Sequence, residues 1–299
     1  MINTQAKEIG KFESWVLASR PKTLLAALVP VIIGSAVAVH HNSFKPLAAT
    51  VALICSILIQ VGTNFVNDLY DFLSGKDTKE RLGPTRALAS GLISVKEMKT
   101  GVFITFAVTF LLGLYLVSLG GWLILLIGIF SIIAGIAYTA GPYPLAYNGL
   151  GDIFVFVFFG LIGTVGTYFV QTGEINMLAV WASIPVGALI TNILVVNNYR
   201  DIGEDRSNGK NTLAVKLGEK FTRLQYVVFM ILSYAVLFIV YFTYKENIYI
   251  FLPLLSLPVA VKLIKMIYSL KGILLNNTLA LTAKLSLIYG LLFAIGILL

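Results

Sequence analysis

The chain alternates between long runs with almost no charge and short polar segments. Apolar stretches of roughly 20 residues recur at about 23–40, 47–69, 100–119, 121–139, 151–171, 178–198, 224–243, 248–268 and 279–298. At a rise of about 1.5 Å per residue, each can cross a hydrocarbon layer as a helix. The two-residue alternation that a membrane barrel requires is absent. The pattern therefore predicts an all-α integral membrane protein, with nine transmembrane helices in a single domain over 1–299. Most connections are tight. Two are long and ionic, and they follow the second and sixth spans.

Basic residues sort to one side of this pattern. Lys7, Lys11, Arg20 and Lys22 precede the first span, and Lys76, Lys79, Arg81, Arg86, Lys96 and Lys99 follow the second. Arg200, Arg206, Lys210, Lys216, Lys220 and Arg223 follow the sixth, and Lys262, Lys265 and Lys271 surround the end of the eighth. Only Lys45 and Lys245 fall opposite. Cytoplasmic loops carry the excess of Lys and Arg, so the expected topology is N-inside and C-outside, with both ionic loops in the cytoplasm.

Composition agrees. The chain is 58% hydrophobic and 12% charged, against about 25% charged in soluble domains. The formal charge of +8 is accounted for by orientation, so no nucleic-acid partner is expected. Cys55 is the single cysteine and lies within an apolar run, which excludes an intrachain disulfide. Residues 1–22 are polar and of mixed charge, and the run after them reaches spanning length, so it is expected to be a retained helix.

The acids share the geography of the bases. NDLYDFLSGKDT (67–78) and NNYRDIGEDRSNGKNT (197–212) both run through Asn, acids and then Gly-Lys-x-Thr, each after an apolar span. Four spans separate them. This echo predicts a duplicated unit, roughly 23–139 and 151–268, with the helix 279–298 appended. Two acid-bearing helix ends would then face one another across a shared cavity.

Asn197, Asp201 and Asp205 are spaced i, i+4 and i+8, one ladder of oxygens if the helix continues. Asn64, Asp68 and Asp71 are spaced i, i+4 and i+7, and Asn67 pairs with Asp71 at i, i+4. Acids at helix C-termini are opposed by the helix dipole and by one another, so a cation is required. Carboxylate and amide oxygens without Cys or His suit a hard divalent ion such as Mg²⁺, which keeps phosphate oxygens in its shell. Lys76, Arg81, Arg86, Arg200 and Lys210 are placed to neutralise the rest of a diphosphate. Single clusters of this kind are commonly solvated loops, but two matched ones favour the clamp. For Asp152, at a predicted helix start, a capping role and a substrate contact are equally open.

At these residues the chain resembles the UbiA-type intramembrane prenyltransferases over nearly its whole length. SRPKTLLAALVPVIIG (19–34), NDLYDFLSGKDTKERLGPTRALASGLIS (67–94), AYTAGPYPLAYNGLGDIFVFVFFG (137–160) and NNYRDIGEDRSNGKNTLAVKLG (197–218) carry the likeness. The GPTR element and the GPYPLAYNGLGD run look like the branch that prenylates 1,4-dihydroxy-2-naphthoate in menaquinone synthesis, rather than the 4-hydroxybenzoate branch. The family's first motif is often written as Asn and two Asp, each four apart. Here Asn67 and Asp71 match, the next position is Gly75, and the acid comes at Asp77.

The resemblance implies Mg²⁺ on Asn67, Asp68, Asp71, Asp77, Asn197, Asp201 and Asp205, holding the diphosphate of a polyprenyl diphosphate donor. It implies an allylic cation shielded from water, with Tyr138 as the aromatic face beside it. It also implies attack by the naphthoate ring with loss of its carboxylate, giving a demethylmenaquinol. Lys22, Tyr143 and Asp152 are the candidate contacts to the aromatic acceptor. The expected location is the bacterial inner membrane, with the site on the cytoplasmic side. A secondary transporter would instead place ionisable residues near the bilayer midplane, and the predicted spans are nearly empty of them.

Overall fold

The computed structural model describes residues 10–76, 83 and 86–299. Helices α1 (Lys11–Ser19), α2 (Pro21–His40), α3 (Pro46–Leu73) and α4 (Val95–Ala137) lead to a short 3-10 turn at Leu145–Asn148. A continuous rod follows, made of α5 (Gly151–Val155), a π-helical stretch (Phe156–Ile162) and α6 (Gly163–Thr172). Then come α7 (Met177–Arg200), α8 (Ile202–Ser207) and α9 (Leu213–Tyr244). A 3-10 segment (Ile248–Ser256) runs into α10 (Leu257–Ser269), and α11 (Leu275–Leu298) closes the chain. Strands are absent among the described residues, and eight helical segments there are long and apolar enough to cross a membrane.

Helix α4 accounts for two of the predicted spans. Its 43 residues would reach about 65 Å if straight, but Gly121 has φ 67° and ψ −159°, and the helix breaks there. The two arms fold back on each other: a Cβ on Gly135 would lie 3.7 Å from the Phe106 ring on the opposite arm. Only glycine adopts this backbone without strain, so the Gly-Gly pair in VSLGGWL makes the turn.

The centre of the bundle is α7, which packs against α2, α9, α11 and the π-helical stretch. The closest approach is at Gly160 and Gly187, where a Cβ on either would come within 2.9 Å of the other helix's backbone. In lipid, small residues that allow such contact and polar groups that bond across helices hold a bundle together. The hydroxyl of Tyr226 bonds Thr282 at 2.8 Å, and Tyr234 bonds Ser256 at 2.8 Å. Tyr289 donates to the Ser233 carbonyl at 2.5 Å. The ninth apolar run carries an ionisable residue, Lys284, on an exposed face of α11.

Candidate active site

The polar residues gather where α3, α7, the 3-10 turn and the two ionic loops meet. Asp71, near the end of α3, is 3% exposed. Its Oδ2 accepts from Arg86 Nη2 at 2.6 Å, its Oδ1 from Lys210 Nζ at 3.1 Å, and Tyr147 also donates its phenol to Oδ1. The Lys210–Asp71 pair joins the two acidic stretches directly. Asn208 Nδ2 reinforces it by donating to the Lys76 carbonyl at 3.3 Å. The Tyr147 ring carries Lys76 Nζ at 3.8 Å and Lys210 Nζ at 5.0 Å from its centroid. The ring thus gathers two ammonium groups beside one carboxylate.

The second stretch keeps the expected ladder. Although α7 ends at Arg200, the Asp201 amide bonds the Asn197 carbonyl at 3.1 Å and the Asp205 amide bonds that of Asp201 at 2.8 Å. The i, i+4 spacing therefore passes through the junction into α8. Arg200 is itself 3% exposed. It grips Asp201 with Nε–Oδ1 at 2.7 Å and Nη2–Oδ2 at 2.6 Å, and also donates to Asn197 Oδ1 and Asn276 Oδ1. Its guanidinium is engaged by Asp201 and Asn197. Asp205 is buried beside Asp201, Glu204 and Asp71, and burial first, then those neighbours, push its carboxyl up to about 7, against the pull of Lys210. Burial and the adjacent Lys210 charge lower the Lys76 ammonium, opposed by Asp71 and Asp205.

Asn67 Oδ1 accepts from Thr139 Oγ1 at 2.7 Å. Asp68 is 1% exposed, with Oδ2 on the Ala87 amide at 3.1 Å, while its Oδ1 has no hydrogen-bond donor. Arg20 stands within electrostatic reach of Asp68. On the neighbouring wall, Asp152 is buried with its Oδ1 on Gln225 Nε2 at 3.2 Å. The hydroxyl of Tyr138 abuts Gly151, where a Cβ would lie 3.1 Å from it. Asp152 and Tyr138 therefore share one wall. Lys22 and Tyr143 are exposed, the latter by 60%, and the structure does not draw them into the cluster. Asp77 and Arg81 lie outside the described residues.

The donor set of buried carboxylate and amide oxygens fits a hard divalent cation, and the undonated Asp68 Oδ1 is the kind of atom such an ion satisfies. Among the described residues, three carboxylates do not converge into a preformed cage. Asp71 and Asp201 are instead paired with Arg86, Lys210 and Arg200.

The model of the UbiA prenyltransferase family matches residues 27–296. The chain belongs to that family. It is 36% identical to a 1,4-dihydroxy-2-naphthoate octaprenyltransferase of Escherichia coli K12, covering 97% of each chain. Identity to the Haemophilus influenzae protein of the same name is 38%, covering 96% of each. A UbiA homolog from Archaeoglobus fulgidus bound to DMAPP and Mg²⁺ shares the fold, with a TM-score of 0.67 and 15% identity over 94% of this chain and 99% of that one. Within this UbiA member, the sequence offers Tyr147 with Tyr138 and Tyr143 as a candidate aromatic face, and what it does not show is the phenol of Tyr147 on Asp71, the nearness of Arg20 to Asp68 or the bond from Gln225 to Asp152. Tyr147 stood in the same GPYPLAYNGLGD run as Tyr143, and a second aromatic four residues on was the signal available.

Proposed function

We propose that this UbiA-family prenyltransferase transfers a polyprenyl group from polyprenyl diphosphate to 1,4-dihydroxy-2-naphthoate, with loss of the acceptor's carboxylate, to give a demethylmenaquinol. The observation that carries the reading is the Lys210–Asp71 bridge. It closes two matched acidic stretches into one buried site, in a chain whose relatives at 36–38% identity bear that activity's name.

In this reading Asp68, Asp71, Asp201, Asp205, Asn67 and Asn197 would hold Mg²⁺, with Asp77 a further candidate. Bound Mg²⁺ would neutralise the diphosphate and make it a better leaving group. Lys76, Lys210, Arg86 and Arg81 meet phosphate oxygens as these displace carboxylate partners. Arg200 orients two of the ligands. The C–O bond of the donor breaks within walls that exclude water, Tyr138 presents its ring to the allylic cation, and Asp152 positions a hydroxyl of the acceptor. The ring forms the new C–C bond as carbon dioxide and diphosphate depart.

The bundle crosses the bacterial inner membrane nine times, α4 contributing two passes, with the site facing the cytoplasm. The echo of the acidic stretches supports a duplicated unit with α11 appended. The test supplies purified protein with Mg²⁺, a polyprenyl diphosphate, and either 1,4-dihydroxy-2-naphthoate or 4-hydroxybenzoate. Prenylation of the naphthoate is expected, and prenylation of the hydroxybenzoate alone would refute the assignment. Asp201→Ala and Asp205→Ala should each abolish Mg²⁺-dependent turnover.

A further inference from the structure

An apolar groove of about 360 Å³ opens on the outer face of the bundle, between α9 and α10. Its base is made by the buried Met230, Tyr234 and Ala260, and its rims by the exposed Ile231, Leu257 and Val261. The Tyr234 phenol is bonded to Ser256 at 2.8 Å, which satisfies its polar atom. From Leu257 to Ile264 the groove follows two helical turns, about 11 Å, which is most of the roughly 15 Å of hydrocarbon in one leaflet.

One end of the groove is basic. There α9 and α10 are tied together, with Arg223 Cζ 5.6 Å from the Tyr268 ring centroid and Lys271 Nζ on Glu219 at 2.8 Å. Arg223 also donates to the Tyr199 hydroxyl at 2.6 Å, two residues before Asp201, so this is the end of the bundle that holds the candidate active site. Lys220 lies three turns before Ile231 on the same face of α9, and Lys265 lies one turn beyond Val261 on α10. Both are exposed. Glu219 is engaged by Arg223 at 2.7 Å as well as by Lys271, and among the described residues neither Lys220 nor Lys265 has a carboxylate partner. Tyr268 is half exposed beside them, as aromatic side chains are at a membrane–water boundary.

We propose that this groove binds an anionic diacyl phospholipid, with an acyl chain along the groove and the phosphate on Lys220 and Lys265. Charge selects the occupant. A second copy of this chain would sit in the membrane in the same orientation, so a symmetric contact through this face would set these lysines against their own copies. A partner helix packs closely through small residues, whereas the rims here carry Ile231, Leu257 and Val261. A flexible acyl chain conforms to such rims, and an anionic headgroup answers the two lysines. The inference stands independently of the prenyl-transfer reading.

The test is native mass spectrometry of the full chain in detergent, titrated with dioleoyl phosphatidylglycerol or dioleoyl phosphatidylcholine. Wild type is compared with the double variant Lys220→Gln/Lys265→Gln and with Ala235→Phe, which fills the groove from an exposed position. The double variant Lys96→Gln/Lys99→Gln removes two exposed cations elsewhere and serves as control. Wild type should bind phosphatidylglycerol at least about tenfold more tightly than phosphatidylcholine. That preference should fall below about twofold in Lys220→Gln/Lys265→Gln and persist in the control, while Ala235→Phe should weaken both lipids. Equal binding of the two lipids by wild type, a preference that survives Lys220→Gln/Lys265→Gln, or an equal loss in the control overturns the proposal. So does a mass of two chains that Ala235→Phe reduces to one, which would give the groove to a second copy. Where a variant fails to fold, wild type in nanodiscs holding phosphatidylglycerol with a diazirine in its acyl chain decides. Cross-links to 230–238 and 257–264 sustain the proposal, and cross-links confined to other segments reject it.

Discussion

Asp71 is held by three donors from three parts of the chain, Arg86, Tyr147 and Lys210. A ligand oriented in this way commonly loses 10–100-fold in metal affinity when its supporting group is removed. Tyr147→Phe keeps the ring beneath Lys76 and Lys210 and removes only the phenol. We expect its affinity for Mn²⁺, used as a paramagnetic stand-in, to fall by about tenfold, read by titration of the free-ion signal. Unchanged affinity would show that the phenol does not orient Asp71. Asp205 adds a pH dependence. Its carboxyl sits at about 7 in the fold, against an ordinary value of 3.8, so the metal-free fold binds a proton that the unfolded chain releases. That stabilisation is complete below pH 3.8 and fades as pH rises through 7. The thermal midpoint of metal-free protein should therefore fall between pH 5 and 8, and Asp205→Asn should flatten the fall. Metal binding needs the ionised form, so apparent Mg²⁺ affinity should climb over the upper part of that range. Asp205 was legible in the sequence because its ladder partners lie four and eight residues away. The bond from Tyr147 to Asp71 was not, because Asp71 is 76 positions upstream, a separation that local spacing does not reach.

Elements were more legible than contacts. Each apolar run became a helix, and the acidic ladder survived the α7–α8 junction because its i, i+4 hydrogen bonds continue there. The runs at 100–119 and 121–139 were read as separate spans, and the structure joins them as α4 with a break at Gly121. The boundary was visible as Gly-Gly within an otherwise apolar stretch. The π-helical winding at Phe156–Ile162, which packs on α7, was not, since FVFFGLI carries no helix-breaking residue. Gly121→Ala tests whether the turn depends on its left-handed backbone. A side chain at φ 67° stores strain of about 1–3 kcal/mol, so the variant should unfold at a lower temperature in detergent. An unchanged midpoint would mean that the break is set by its surroundings rather than by glycine.

At the scale of the molecule, the count of crossings is a question of parity. The α1 helix stands at the end of the bundle that holds the site, where Lys11 Nζ bonds Glu97 at the start of α4 and Asn64 reaches back to the Ser19 carbonyl. The last turn of α11 stands at the other end, where His40 Nδ1 contacts the Ile297 carbonyl at 3.0 Å and Asn247 Nδ2 the Leu299 carbonyl at 3.5 Å. A chain that starts at one end of the bundle and finishes at the other crosses an odd number of times. Treating α4 as one crossing makes eight and would return the terminus to the starting side, whereas the proposed topology takes the fold-back at Gly121 as two passes, nine in all. The proposed topology places the starting side in the cytoplasm, as the excess of basic residues there favours. A reporter fused after Leu299 that is active only outside the cytoplasm should therefore be active. Single cysteines introduced at Asn42 and Lys245 in a Cys55→Ala background should react with an impermeant maleimide on intact cells, while one at Ser207 should react only after lysis. Labelling of Ser207→Cys from outside would invert the topology. An inactive reporter together with labelling at Asn42→Cys would leave an even count and remove the second pass of α4.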